Sequence, residues 1–314
     1  MQERDFTALA ERQRPTVLTA NVLCMIALAG LWIAGLIAGR IAPDTGIRQD
    51  LAVNVFYYLP FMVLPIVLSM RRSGEVGEAL RLNPMQVIPS ISVMFLGVLC
   101  VFLATELDIV WIDLLKAVGL SGPDASIEVA SSRDLMLTVV NSAAVPAICE
   151  ELLFRGCVLA AWERRGTAFA IFASSVLFAL LHSNLFGLPA YLLVGLVSGF
   201  LVYALDSLYA GMLFHTVYNT SILVIVFIAS RAEASATPPE AQTGTLWLVT
   251  EIMILLAVMA LSLKSIDFRR RARGIEPMAR VHAPLRRAEK WTLLGMLVLM
   301  ALSMLATLIM GAAS

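Results

Sequence analysis

The sequence predicts an all-α protein, a polytopic integral membrane helix bundle. Of its 314 residues, 59% are hydrophobic and only 15% are charged, whereas soluble domains average about 45–50% apolar and about 25% charged residues. The apolar stretches are long and continuous rather than alternating, which favours membrane-spanning helices over a β-barrel. In lipid, only these two structures satisfy every backbone hydrogen bond. We therefore expect most of the chain to lie in a membrane.

About nine stretches are long and apolar enough to be transmembrane spans. They are 17–39, 51–70, 86–104, 135–162, 167–185, 187–205, 207–229, 246–263 and 291–311. Residues 107–120 are apolar but too short to cross, and they carry Asp108, Asp113 and Lys116. This pattern predicts an interfacial amphipathic helix or a short packed helix. We expect N-terminal spans in 1–134, a catalytic core in 135–229, and C-terminal spans with a basic loop in 230–314.

Basic residues in the loops predict the orientation of the chain. With nine spans and a cytoplasmic N-terminus, the basic loops after spans two and four and the loop 264–290 all face the cytoplasm. The loop 264–290 is expected to be an anchor at anionic lipid headgroups. We expect a bacterial plasma (inner) membrane. Lys+Arg and Asp+Glu both number 23, and we expect a lipid bilayer and a membrane-associated substrate as partners, without nucleic acid. The oligomeric state stays open.

Two adjacent acids lie inside the predicted span 135–162. Charged side chains within a span are costly and suggest function. Glu151 and Arg155 are four residues apart, so they share a helix face and can pair. Glu150 points about 100° away from Glu151 and is therefore available for another role. Pro146 lies one turn earlier and is expected to disturb the helix near Ser142.

Two of the three histidines also lie within predicted spans, and the third, His282, lies in the basic loop. His182 ends the segment FALLH, and His215 is followed four residues later by Asn219, on the same helix face. At ~1.5 Å rise per residue, Glu150, His182 and His215 lie roughly 12–22 Å from the cytoplasmic ends of their spans. We therefore expect these groups to share one cavity near the middle of the membrane.

Such a cluster could hydrolyse a peptide bond without a covalent nucleophile. A carboxylate beside an imidazole can activate a water molecule as a general base. An imidazole and an amide can stabilise the developing oxyanion. A zinc ion bound by Glu150, His182 and His215 is the alternative, since three N/O ligands and a water form a valid catalytic site. We expect no cofactor, because there is no HExxH helix, and the four cysteines have no paired metal spacing.

Three segments resemble known motifs in the expected order. EELLFR, FALLH and HTVYN resemble the EExxxR, FxxxH and HxxxN motifs of the CAAX protease and bacteriocin-processing (Abi) family of intramembrane proteases, over roughly residues 138–225. The resemblance implies a glutamate-type endopeptidase. The implied catalytic residues are Glu150 and His182, which activate the water, and His215 and Asn219, which form the oxyanion hole. The implied supporting residues are Glu151, Arg155 and Phe178.

Two readings outside the proteases stay open at this point. A non-catalytic membrane scaffold or immunity protein could keep the same fold, although the intact motif set argues against it. A transporter could use buried acids and histidines as a proton relay, but the chain lacks an evident inverted repeat and paired broken helices. The sequence does not identify the peptide that a protease of this kind would cut.

Overall fold

A computed structural model describes residues 15–41, 54, 57–58, 61–70, 76–120, 122, 131–233, 245–272, 274 and 284–313. Over these ranges the protein is an all-helical bundle, as predicted. The main helices are α1 (Val17–Ile41), α2 (Phe61–Met70), α3 (Val87–Ala117), an interrupted helix α4 (residues 132–165), α5 (Thr167–Leu181), α6 (Leu188–Leu205), α7 (Leu208–Glu233), α8 (Thr245–Ala272) and α9 (Arg287–Ala313). A single helical turn, Val76–Ala79, precedes α3.

Six of the helices in the described ranges are long and apolar enough to cross a membrane: α1, α3, α6, α7, α8 and α9. The helices α2 and α5 are apolar but shorter. The predicted span 51–70 lies partly outside the described residues, and α4 is divided into several helical pieces. The integral membrane class is therefore supported, while the number of nine spans stays a prediction.

Two predicted boundaries are wrong. Residues 107–120 do not form a separate helix, because α3 continues without a break from Val87 to Ala117. The sequence between the two predicted elements contains no Gly or Pro to end the helix. The predicted loop 264–290 also begins too early, because α8 runs to Ala272. The last turns of α8 are stabilised by Asp267, which pairs with Arg270 at 2.7 Å and with Arg271 at 2.8 Å.

The core of the bundle is formed by α3, α4, α5, α6 and α7. Helix α6 packs along α5, and α7 packs along α3 and against α4. Helices α1 and α9 form a pair on one side, and α8 packs on α3. Gly195 of α6 allows a close approach to α5, since a Cβ there would lie 2.8 Å from the Ser175 Cβ. Small residues of this kind let membrane helices pack closely.

The interrupted helix α4 alternates between α-helical and wider π-helical turns. It consists of Ser132–Thr138 (α), Val139–Ala144 (π), Val145–Leu153 (α), Phe154–Leu159 (π), Ala160–Trp162 (α) and Glu163–Arg165 (3-10). The first π-helical stretch ends just before Pro146, which lacks a backbone N–H and disfavours regular α-helical bonding behind it. The predicted irregularity near Ser142 is therefore present. The short α-helical piece between the two wide stretches carries both glutamates.

Candidate active site

The two adjacent glutamates of α4 face different surroundings. Glu151 is fully buried, and its Oε1 lies 3.0 Å from Arg155 Nη1, so the predicted i,i+4 ion pair is present. Ser198 of α6 donates a hydrogen bond to Glu151 Oε2 at 2.6 Å. Arg155 also donates to the backbone oxygen of Gly195 at 3.0 Å. Glu151 therefore makes contacts inside the protein, with α4 itself and with α6.

Glu150 faces a cavity instead. Its Oε2 lies 4.0 Å from His182 Nε2 and 4.0 Å from His215 Nε2. Tyr58 donates a hydrogen bond from its hydroxyl to Glu150 Oε1 at 3.3 Å. A separation of 4.0 Å is too long for a direct hydrogen bond but suits a bridging water. The side chain that the sequence singled out as the base therefore lies between both intramembrane histidines.

His182 is held at the end of α5 by two contacts. Its Nδ1 lies 2.8 Å from the Phe178 backbone oxygen, which can only accept a hydrogen bond. The proton of the neutral imidazole therefore lies on Nδ1, and Nε2 is left as an acceptor facing Glu150. The ring of Tyr191 stacks on the imidazole with 4.0 Å between ring centroids and 18° between the planes. These contacts fix both the tautomer and the orientation of the ring.

The residue after His182 is hydrogen-bonded to the last helix, α9. Ser183 is buried and has a positive φ of 53°, a left-handed conformation that non-glycine residues rarely adopt. Its hydroxyl lies 2.7 Å from Ser303 Oγ, and Thr307 donates a hydrogen bond to its backbone oxygen at 2.5 Å. Trp32 of α1 donates to Ser303 Oγ at 2.9 Å. Helices α1 and α9 thus hold the turn that carries His182.

His215 of α7 connects the two glutamates. Its Nδ1 lies 3.2 Å from Glu151 Oε1, while Nε2 faces Glu150. The ring of Phe178 lies edge-on to both imidazoles, with centroid distances of 4.7 Å to His182 and 5.6 Å to His215. The Arg155 guanidinium lies 4.8 Å from the centre of the same ring. Phe178 therefore contacts Arg155 and both histidines and fills the space between them.

A cavity of about 440 Å³ opens at this cluster. Glu150, Phe178, His182, His215 and Asn219 all line it, so the structure brings the predicted cavity residues together. Glu151 and Arg155 lie behind this wall in the buried ion pair. In the described part of the chain, no group of three or more His, Cys, Asp or Glu side chains is arranged to hold a metal ion.

Sequence reasoning missed several residues that contact the cluster. Tyr58, Tyr191 and Ser198 hold Glu150, His182 and Glu151, respectively. Tyrosine and serine are ordinary components of membrane helices, and no spacing to the glutamates or histidines marks these three in the sequence. Only the packing of residues 57–58 and of α6 against the motif helices reveals them.

Comparison with known families agrees with this geometry. Residues 132–221 match the family model described as Rce1-like, type II CAAX prenyl endopeptidase. The matched segment runs from the start of α4 into α7 and includes every site residue predicted from the motifs. The resemblance to the CAAX proteases is thereby confirmed for this segment. No curated protein and no solved structure matches the chain.

Proposed function

We propose that the protein is an intramembrane endopeptidase that cleaves a membrane-associated peptide or protein with a water molecule activated by Glu150 and His182. The observation that carries this proposal is the position of Glu150 Oε2, 4.0 Å from the Nε2 atoms of His182 and His215 at the wall of a cavity. A water bound at Glu150 would also be within reach of His182 Nε2, which is an acceptor. Both groups could take its proton as it attacks the peptide carbonyl.

The oxyanion formed in that attack would be stabilised by His215 and Asn219. An ionised Glu151 can only accept, so His215 Nδ1 would carry a proton and donate to it. His215 Nε2 can then donate to the oxyanion only if the imidazole carries both protons. The Asn219 amide donates in either state and lines the same cavity. Glu150 would return its proton to the leaving amine, which completes hydrolysis without a covalent intermediate.

The substrate class and location follow from the same proposal. The matched family is named for CAAX prenyl endopeptidases, so a prenylated C-terminal tail is one candidate, beside peptide leaders and membrane proteins. Six described helices are able to span a membrane, which supports cleavage within the bilayer. We place the protein in a bacterial plasma membrane with its N-terminus in the cytoplasm.

The test compares Glu150→Gln with the wild type in two assays. Quantitative proteomics of a strain that carries Glu150→Gln should reveal a membrane-associated precursor that stays uncleaved. The purified variant in lipid nanodiscs should then fail to cleave that precursor, while the wild type cleaves it. Glu106→Gln, on the half-buried face of α3, is the matched control and should keep full activity. Wild-type turnover by Glu150→Gln, or full biological activity of that strain, would overturn the proposal and favour a scaffold.

We also propose that no metal is required, against the alternative of zinc bound by Glu150, His182 and His215. The zinc alternative is tested because the Nε2 atoms of both histidines lie 4.0 Å from Glu150 Oε2. Purified enzyme dialysed against a strong chelator should keep its activity, and elemental analysis of the active protein should find no stoichiometric zinc. Loss of activity that only zinc restores would establish the metalloprotease.

A further inference from the structure

Asp108 of α3 is a cavity-lining acid that the proposed chemistry does not use. Its side chain is half-buried and lines the same cavity as Glu150. Its Oδ1 accepts a hydrogen bond from the backbone N–H of Ala190, in the first turn of α6, at 3.2 Å. Within the described ranges, no Lys, Arg or His side chain forms an ion pair with it. A half-buried carboxylate without a cationic partner is costly, so a ligand that supplies a positive charge would stabilise it.

The rest of the cavity wall is suited to cations. Among the described residues that line it are the carboxylates of Asp108 and Glu150 but no Lys or Arg. Four tyrosine rings also line the cavity: Tyr57, Tyr58, Tyr191 and Tyr218. Aromatic faces attract ammonium and guanidinium groups, most strongly where water is excluded. A wall of this composition favours a positively charged group and disfavours an anionic one.

The position of Asp108 is fixed relative to His182. Trp111, one turn further along α3, donates a hydrogen bond from Nε1 to the Leu185 backbone oxygen at 2.8 Å. Together with the bond from Ala190 to Asp108, this contact ties α3 to the connection after His182 and to the first turn of α6. The carboxylate is therefore held in a set place relative to the reacting groups, as a specificity residue must be.

We infer that Asp108 is a specificity residue that binds a cationic group of the substrate. This group would be a Lys or Arg side chain near the scissile bond, held between the Asp108 carboxylate and the tyrosine rings. This inference rests on the proposed protease function and names its substrate class. A peptide with a basic residue at the matching position would neutralise the acid upon binding. A peptide with an acidic residue there would place two like charges together in the cavity.

The competing structural role of Asp108 is to cap the N-terminus of α6. The two roles separate in Asp108→Asn, because the amide oxygen can still accept the hydrogen bond from Ala190 while the charge is lost. Asp113→Asn is the matched control on the same helix, since Asp113 is 71% exposed and pairs only with Lys116 at 3.8 Å in the described residues.

The experiment uses the full-length protein in nanodiscs and a set of peptides of one cleavable sequence, with Lys, norleucine or Glu at each position flanking the bond. At one position, wild type and Asp113→Asn should cleave the Lys peptide with a kcat/KM at least about tenfold above that of the norleucine peptide, as expected for a buried charge pair. Asp108→Asn should lose this preference and cleave the Lys and norleucine peptides with similar kcat/KM, whatever its absolute rate.

Two results would overturn the inference. One is a wild type that shows no preference for Lys at any position, which needs no variant and so holds even if Asp108→Asn fails to fold. The other is an Asp108→Asn protein that keeps the preference for Lys. Such a protein could also lose activity on all peptides equally and have a lower Tm, which is the result expected if Asp108 only caps α6. In both cases Glu150-dependent cleavage would persist, whereas failure of the proposed function would abolish that dependence across the whole peptide set.

Discussion

His215 Nδ1 lies 3.2 Å from Glu151 Oε1, on the opposite side of the imidazole from Glu150. The two neighbouring acids of α4 therefore act on the same histidine from different directions. Glu151 is buried with Arg155 and Ser198 and has no access to the cavity. In the proposed mechanism, Glu151 would orient His215 for the oxyanion hole, while Glu150 would meet the water and the substrate.

Glu151→Gln should therefore reduce stability as well as activity. The change leaves the buried Arg155 guanidinium without its counter-charge, and breaking a buried pair typically costs about 3–5 kcal/mol. Thermal unfolding in detergent should show a large fall in Tm. The double variant Glu151→Gln/Arg155→Met removes both charges and should recover much of the Tm while remaining inactive. A Glu151→Gln protein with unchanged Tm would mean that the pair contributes little to folding.

Asn219→Ala should weaken cleavage without abolishing it. Loss of one oxyanion donor typically lowers kcat by about 10²–10³, whereas Glu150→Ala, His182→Ala and His215→Ala should each leave no measurable turnover. Single-turnover kinetics on one peptide can separate these levels. Thr220→Ala changes the next residue of α7 and is the control expected to retain wild-type kcat. An Asn219→Ala enzyme with normal kcat would remove the amide from the oxyanion hole.

Gly211→Ala should disturb the cluster through packing alone. A Cβ at Gly211 would lie 2.5 Å from Glu151 Oε2, 2.8 Å from Val202 Cγ2 and 2.9 Å from Ser198 Oγ. Overpacking of this kind usually costs about 1–3 kcal/mol, and we expect a lower Tm with reduced activity. Gly295→Ala is the matched control in α9, because nothing lies within 4 Å of its Cβ position. That substitution should be neutral or slightly stabilising, since alanine favours a helix. Equal Tm values for the two variants would contradict the close packing around Glu151.

Thr307→Val should lower kcat although Thr307 lies far from the cavity residues in sequence. The variant loses the hydrogen bond to the Ser183 backbone oxygen, which holds the turn after His182. One hydrogen bond contributes about 1 kcal/mol, which corresponds to a roughly fivefold fall in kcat if it positions the imidazole. Thr105→Val is the control, because among the described residues that hydroxyl bonds only within its own helix, to the Val101 oxygen. A fall in Tm with unchanged kcat would show that the contact is structural only.

The helical class and the cluster were predictable because they depend on local patterns. Long apolar runs predict membrane helices, and the four-residue spacing from Glu151 to Arg155 predicts their ion pair, which the structure contains. The continuous helix Val87–Ala117 was not predicted, because its acidic residues resemble those of an interfacial helix. Tyr58 and Thr307 were also missed, since their partners lie 92 and 124 residues away along the chain. Contacts of that kind depend on how helices pack, which single-sequence periodicity does not encode.

The wide turns of α4 have a consequence for how this chain tolerates changes in length. A π-helical turn holds one more residue than an α-helical turn, and such stretches lie on both sides of the piece Val145–Leu153. Removing a single residue, such as Ala144, would let the helix return to regular α geometry. Because the wide turn holds the extra residue, the side chains beyond it would keep nearly the same orientation, whereas the same deletion in a regular α-helical turn would rotate them by about 100°. Glu150 and Glu151 would therefore still match their surroundings, so the wide turns let α4 lose one residue without changing which acid meets the cavity.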